Sequence, residues 1–247
     1  MTTVLAPRCA FGVIVPSTNT AVEDEYNRMR PDGVSFHAGR ILIENESLDS
    51  DEVFESFLAQ LRLQIERAVE SVLTCKPDCL IMGMSAETFW GGAKGNAEFE
   101  AWIEELSGLP VASGASACRA ALRLFGAKRI AVITPYQPVA DEQVRGYFEE
   151  IGFEVTDVVG LKCPTATSIA DVPPDLVRRA FLEVDSPDVD VLVQAGTNLP
   201  VVKVAAELER ELGKPIVAIN AATLWHALRT QGINERITGH GRLLEEF

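Results

Sequence analysis

The feature that most constrains the fold of this chain is an internal repeat. Three segments recur in the same order, each about 105–120 residues further along. The matched pairs are 11–17 with 130–136, 78–85 with 190–197, and 108–126 with 213–232. An ordered set of matches predicts two homologous halves that meet near residues 113–128.

Short apolar runs alternate with amphipathic stretches of helical length along the whole chain. The predicted strands are Phe11–Val15, Val34–Ile43, Cys79–Met84, Pro110–Ala112, Ile130–Thr134, Glu154–Val159, Val189–Gln194 and Ile216–Ile219. The predicted helices are Val53–Val72, Asn96–Leu106, Ser116–Phe125, Val139–Ile151, Pro174–Val184, Pro200–Leu212 and Ala221–Gln231. This alternation is typical of parallel sheets covered by helices.

We therefore predict an α/β fold of two pseudo-symmetric halves, each a four-stranded parallel sheet flanked by helices. The first half is expected over residues 1–113 and the second over 114–220. Residues 221–247 are expected to return to the first half, because each half exchanges its last helix.

Composition excludes several classes of protein. The net charge of −14 disfavours non-specific binding to nucleic acid or to acidic membranes. No apolar run reaches the roughly 20 residues of a membrane span, and no signal peptide is recognised, so we expect a cytoplasmic protein. Five cysteines without a CxxC pair indicate neither a disulfide framework nor a zinc site. Dinucleotide, phosphate-loop and HExxH motifs are absent, so the sequence implies no cofactor and no metal.

The repeat also predicts where a ligand binds. Open parallel sheets bind ligands beyond the carboxyl ends of their strands. Two such halves related by a pseudo-two-fold axis place these ends across one cleft. The residues that then face each other are Ser17 with Tyr136, Met84 with Gly196, and Ser85 with Thr197.

Five motifs resemble the aspartate/glutamate racemase superfamily, in its maleate cis-trans isomerase and arylmalonate decarboxylase branch. They are Val15–Glu25, Gly83–Gly92, Ile133–Tyr136, Ala195–Pro200 and Gly239–Glu246. The resemblance covers essentially the whole chain. It implies a cofactor-independent enzyme that acts on a small carboxylate and forms a homo-oligomer.

The resemblance also implies one or two catalytic cysteines, each after the third strand of its half. Matched motif by motif, these positions are Met84 and Gly196 here, and neither is cysteine. This departure argues against racemisation by two thiols and against isomerisation through a covalent cysteine adduct.

The rest of the implied site is largely retained. The resemblance assigns Asn19 and nearby backbone, including Ser17, to one substrate carboxylate. Ser85, Thr197 and Tyr136 would donate hydrogen bonds to the other carboxylate or to an enolate oxygen. Further substrate contacts are expected from Met84, Ala86, Gly196, Asn198 and Thr165.

Several of these residues have a structural interpretation as well. The segment Ser17–Thr20 followed by Glu23 is typical of a capping box, with Ser or Thr as the N-cap. Ser85 can be a strand-end cap. Glu87 can be a solvated loop carboxylate, or a proton carrier with a raised pKa beside an oxyanion site. Cys163 can approach the substrate from its loop, although no neighbouring base is evident.

A site with oxyanion donors and no cysteine favours decarboxylation, which needs a proton donor but no nucleophile. Tyr136, Glu87 or a water molecule would supply the proton. The alternatives are a maleate-type isomerase with another acid–base pair and a non-catalytic carboxylate-binding protein.

Overall fold

The computed structural model describes residues 3–43 and 51–247, with backbone alone for residues 51–60 and 63. The strands are β1 Cys9–Pro16, β2 Val34–Ile41, β3 Cys79–Met82, β4 Val111–Ala112, β5 Arg129–Thr134, β6 Glu154–Gly160, β7 Val191–Gln194 and β8 Ile216–Ala218. The helices are α1 Ala21–Arg28, α2 Asp51–Leu73, α3 Ala86–Phe89, α4 Gly92–Ser107, α5 Gly114–Leu124, α6 Pro138–Glu150, α7 Pro174–Val184, α8 Val202–Leu212, α9 Ile219–Thr230 and α10 Arg242–Glu246.

The two predicted parallel sheets are confirmed, and their strand orders are identical. The first sheet has the order β2-β1-β3-β4 and the second β6-β5-β7-β8. The register of the central strand pairs is also the same, because Ile14 in β1 pairs with Met82 in β3 and Ile133 in β5 pairs with Gln194 in β7. The central strands are buried on both faces, which explains their nearly continuous apolar sequences.

The ends of corresponding elements repeat the same local chemistry. Helices α4 and α8 both end at a glycine with positive φ, Gly108 at 68° and Gly213 at 65°. A left-handed residue at this position satisfies the last helical carbonyls, and glycine adopts it without a steric penalty. Both glycines begin a matched segment of the repeat, so the turn that leads into β4 is rebuilt before β8.

The last helices of the two halves pack across the boundary between them. Helix α9 contacts α1, β3 and β4 of the first half as well as α5 and β8, and α5 contacts β8. The domain boundary at residues 113 and 114 stays a prediction. No described helix is long and apolar enough to cross a membrane.

The close approach of β2 to α2 gives a stability prediction. A Cβ atom on Gly39 would overlap the carbonyl oxygen of Ala68, which is helix backbone and cannot move aside. We expect Gly39→Ala to lower the free energy of unfolding by about 1–3 kcal/mol. Gly146→Ala is the control, because Gly146 lies inside α6 with open space around it. The control should gain about 0.5–1 kcal/mol from helix propensity. Equal denaturant midpoints for the two variants would contradict this packing.

Candidate active site

A cavity of about 70 Å³ opens at the carboxyl ends of the strands, between the two halves. Eight residues expected at the substrate line it: Asn19, Met84, Ser85, Ala86, Tyr136, Gly196, Thr197 and Asn198. None of the described residues that line it carries a formal charge. Any carboxylate bound here would therefore be recognised by neutral donors.

Equivalent hydrogen bonds connect each sheet to the loop that follows its third strand, and we call these loops, residues 83–85 and 195–201, the first and second site loops. The N–H of Gly83 donates to the carbonyl of Ile14 at 2.7 Å, and the N–H of Ala195 donates to that of Ile133 at 3.0 Å. The chain therefore leaves both sheets at matched positions. This places Met84 and Ser85 from one half opposite Gly196 and Thr197 from the other.

Ser85 lies at the centre of a cluster of donors. Its hydroxyl is 2.6 Å from the Tyr136 hydroxyl, and either oxygen can be the donor. The N–H of Thr197 donates to the Ser85 hydroxyl at 3.0 Å. Burial raises the pKa of Tyr136 well above its usual range, so the phenol keeps its proton at neutral pH. All three groups can therefore donate to an oxyanion.

The backbone N–H of Tyr136 is connected through Thr134 to a half-buried carboxyl group, that of Asp141. Asp141 accepts a hydrogen bond from the Thr134 hydroxyl. The same hydroxyl oxygen accepts the N–H of Tyr136 at 3.0 Å. Burial raises the pKa of Asp141 to about 6, against the opposing effects of the Thr134 hydrogen bond and the Lys162 charge.

The predicted capping box is wrong. Thr20 occupies the N-cap of α1, and its side chain makes no capping hydrogen bond. Instead the side-chain oxygen of Asn19 accepts the N–H groups of Ala21 and Val22, both at 3.1 Å. Glu23 pairs with Arg40 rather than with the start of the helix. An asparagine side chain can bridge its own backbone two and three residues on, and this competes with the serine and threonine caps.

The halves also cap each other's helices. The Asn198 side-chain oxygen accepts the N–H of Thr20 at 2.9 Å and that of Ala21 at 3.4 Å, at the start of α1. In return Glu25 in α1 accepts the N–H groups of Val201 and Val202, at 2.8 and 2.9 Å, at the start of α8. We call these contacts the reciprocal caps. They fix the start of α1 and the loop that precedes α8 relative to each other.

Three predicted site residues lie outside the described lining of the cavity. The Ser17 hydroxyl binds the backbone of Ile43, and its oxygen accepts that residue's N–H at 3.0 Å. Thr165 bonds within its own loop, to Ser168. Glu87 is 1% exposed and pairs with Arg62. Burial raises the pKa of Glu87, while Arg62 opposes the rise.

Sequence reasoning missed the apolar wall of the cavity. Six further residues line it: Pro16, Thr18, Leu61, Pro135, Ala166 and Ile169. Pro16 ends β1 and Pro135 directly follows β5, at matched positions of the repeat, so this signal was available in the sequence. Leu61 comes from α2 and Ile169 from the loop after β6, and neither position has a distinguishing pattern in sequence.

The cysteines lie apart from this lining. Cys163 is buried, with a pKa raised by burial, and is not among the described residues that line the cavity. Burial raises the pKa of Cys9 and of Cys79 to about 12. Such thiols stay protonated at neutral pH and are poor nucleophiles.

Comparison with known proteins identifies the family of this chain. The family profile described as arylmalonate decarboxylase matches residues 11–244. The chain belongs to the arylmalonate decarboxylase family. It is thus an enzyme of the lyase or isomerase kind, and the resemblance found in its motifs is confirmed.

Relatives of both kinds align along nearly the full chain. A maleate isomerase from Nocardia farcinica is 29% identical over 246 residues, covering 96% of this chain and 95% of the relative. An arylmalonate decarboxylase from Bordetella bronchiseptica is 28% identical over 242 residues, covering 96% of each.

A solved structure of the Nocardia farcinica maleate cis-trans isomerase has the same fold. It superposes with a TM-score of 0.88 at 28% identity, covering 97% of this chain and 99% of the other. That protein is a cysteine-to-serine mutant with a covalently bound succinylcysteine intermediate.

The backbone conformation of Gly196 gives a stability prediction for this member of the arylmalonate decarboxylase family. Its φ is +126°, and a Cβ atom would lie 2.6 Å from Cγ of Pro135 and nearer still to Cδ. We expect Gly196→Ala to lower the free energy of unfolding by about 3 kcal/mol, from backbone strain and overlap together. Gly213→Ala is the control, with positive φ but open space, and should lose only about 1–2 kcal/mol. Equal losses of unfolding free energy for the two variants in calorimetry would show that Pro135 does not restrict the side chain at position 196.

The half-buried carboxyl group of Asp141 predicts a pH-dependent stability. Its pKa is about 6 in the folded protein against an ordinary 3.8. A raised carboxyl pKa means that the associated stability is present at low pH and lost as pH rises through the folded value. The Asp141→Asn variant should therefore gain stability relative to the wild type between about pH 4 and pH 7. Denaturant unfolding at several pH values measures this difference, and a constant difference would contradict it.

Proposed function

We propose that this protein is a cofactor-independent decarboxylase of small malonate-type acids that works without a cysteine nucleophile. The observation that carries the proposal is the donor cluster of Ser85, Tyr136 and the Thr197 N–H, beside an uncharged cavity. Membership of the arylmalonate decarboxylase family supports the reaction class.

In the proposed reaction, one substrate carboxylate binds the donor cluster. Its oxygens take the place of the hydrogen bond between Ser85 and Tyr136 and accept from both hydroxyls. The Thr197 N–H donates to the same group. As the carbon–carbon bond breaks, its electron pair moves into this carboxylate, which becomes an enediolate. Donors already in place stabilise the new charge without reorganisation.

The second carboxylate would lie against the apolar wall formed by Leu61, Met84 and Ile169. An apolar surface solvates a carboxylate poorly, whereas the carbon dioxide that leaves is uncharged. Desolvation of this group therefore favours the bond-breaking step. The substrate carbon then takes one proton, from Tyr136 or from water, and the product is a monocarboxylate. Glu87 is a less direct donor because it lies outside the described lining.

The size of the cavity favours small substrates. Its volume of about 70 Å³ is well below the roughly 300–1,000 Å³ of pockets for larger ligands. Unsubstituted or alkyl-substituted malonates fit this volume better than bulky acids do.

A maleate-type isomerase is the second candidate, because maleate isomerases are among the most similar relatives. Its support is weaker at the site, since none of the described residues that line the cavity is a cysteine. From the family resemblance we also expect a homo-oligomer, and we propose a cytoplasmic location. Size-exclusion chromatography with light scattering tests the first of these expectations.

The reaction can be identified by proton NMR in deuterated water, without added metal or cofactor. The panel contains malonate, methylmalonate, phenylmalonate and maleate. We expect loss of one carboxylate from a malonate, with one deuterium at the adjacent carbon. Conversion of maleate to fumarate would establish the isomerase instead. Binding of malonate without turnover of any acid would indicate a binding protein.

The donor cluster gives a prediction for turnover. Ser85→Ala and Tyr136→Phe should each lower kcat by about 10²–10³-fold, the usual cost of losing one oxyanion donor. Tyr147→Phe is the matched control, because Tyr147 is also a buried tyrosine but lies outside the described lining. Steady-state kinetics on the best malonate measures all three variants. Unchanged turnover in both Ser85→Ala and Tyr136→Phe would exclude the cluster from the chemistry.

A further inference from the structure

Two consecutive carbonyl groups in the second site loop are held by buried side-chain amides. The Gln194 amide nitrogen donates to the carbonyl of Gly196 at 2.7 Å. The Asn220 amide nitrogen donates to the carbonyl of Thr197 at 2.9 Å. Gln194 and Asn220 are each 1% exposed, and both lie outside the described lining of the cavity.

These contacts determine where the intervening N–H groups point. In a trans peptide the C=O and the following N–H point in opposite directions. Because the Gly196 carbonyl points to Gln194, the Thr197 N–H points to the opposite side of the chain. There it donates to the Ser85 hydroxyl at 3.0 Å. Holding the Thr197 carbonyl on Asn220 likewise turns the Asn198 N–H away from Asn220. Gly196 can adopt the required backbone because glycine tolerates its φ of +126°.

The orientation of each amide is set by a further partner. The Gln194 oxygen accepts the N–H of Ile219 at 3.3 Å, so its nitrogen faces Gly196. The Asn220 nitrogen donates to Glu25 at 2.6 Å. A carboxylate only accepts hydrogen bonds, so it selects the nitrogen end of the Asn220 amide. Glu25 is itself held by the N–H groups of Val201 and Val202.

We propose that Glu25, Asn220 and Gln194 are positioning residues: they hold two carbonyls on the far side of the loop, so that the N–H groups of Thr197 and Asn198 are preset for the substrate oxyanion. This inference rests on the proposed function for its kinetic test. Its effect on the loop can be measured without turnover.

Glu25→Gln is the informative substitution. The new glutamine has the same shape, and its oxygen can still accept the N–H groups of Val201 and Val202. Its nitrogen would face the Asn220 nitrogen, and two donors cannot bond each other. If the Asn220 amide flips, its oxygen faces the Thr197 carbonyl oxygen, and two acceptors cannot bond each other. The substitution therefore releases this carbonyl without creating a cavity.

The chain provides a matched control in Glu209. This residue is 3% exposed and accepts backbone N–H groups from Ile216 at 2.7 Å and Arg242 at 2.8 Å. Burial raises the pKa of Glu25 and of Glu209 alike. Glu209→Gln makes the same chemical change outside the site loops.

The test combines kinetics with amide resonances from ¹H–¹⁵N spectra. Glu25→Gln should lower kcat about tenfold or more, with a smaller change in KM and a moderate loss of thermal stability from the unpaired buried groups. The Thr197 and Asn198 amide resonances should move in ligand-free protein, and their response to added malonate should shrink. Glu209→Gln should leave kcat and these resonances unchanged. If Glu25→Gln does not fold, Gln194→Met replaces it, with the Thr197 amide as the readout.

The outcomes separate the two proposals. If the wild type converts no acid and binds no malonate, the proposed function fails. In that case the Thr197 and Asn198 amide resonances of the ligand-free protein still test whether Glu25 positions this loop. Unchanged resonances in Glu25→Gln, or equal effects of Glu25→Gln and Glu209→Gln, would overturn the positioning role.

Discussion

The reciprocal caps are the interaction on which the site depends. Asn198 from the second half caps the N-terminus of α1, and Glu25 from the first half caps the N-terminus of α8. The first N–H groups of a helix have no partner within the helix, so they must be satisfied from outside. Here each half supplies the partner for the other. Helices α1 and α8, one from each half, therefore cannot separate without exposing unsatisfied donors.

Much of the fold was predictable because it is encoded twice. A residue such as Ile14 is uninformative alone, but Ile14 and Ile133 occupy equivalent positions in the two sheets, and the matched strand ends then locate the cleft. The same reasoning paired Ser85 with Thr197 and Met84 with Gly196, and the structure brings all four to one cavity. Local details were less accessible. The capping box failed because Asn19 competes for the same N–H groups, and sequence spacing cannot rank two competing caps.

Other features depend on tertiary contacts that leave no local pattern. Leu61 and Ile169 reach the cavity from a helix and a loop that are distant in sequence, so no periodicity identifies them. Gln194 reads as an ordinary strand residue, yet its amide orients the peptide that carries the Thr197 N–H. The family resemblance predicted a cysteine at the position of Gly196. The contact with Pro135 adds that any side chain there requires the loop to move.

The central claim is that this family member works through neutral oxygen and nitrogen donors rather than a thiol. Cys163 is the cysteine whose backbone lies nearest the site, since its N–H donates to the carbonyl of the cavity residue Pro135 at 3.0 Å. The decisive measurement is the rate of carbon dioxide release from the best malonate by the Cys163→Ala variant. The account predicts a rate close to that of the wild type. Loss of release in folded Cys163→Ala protein would show that a thiol takes part and would contradict the account.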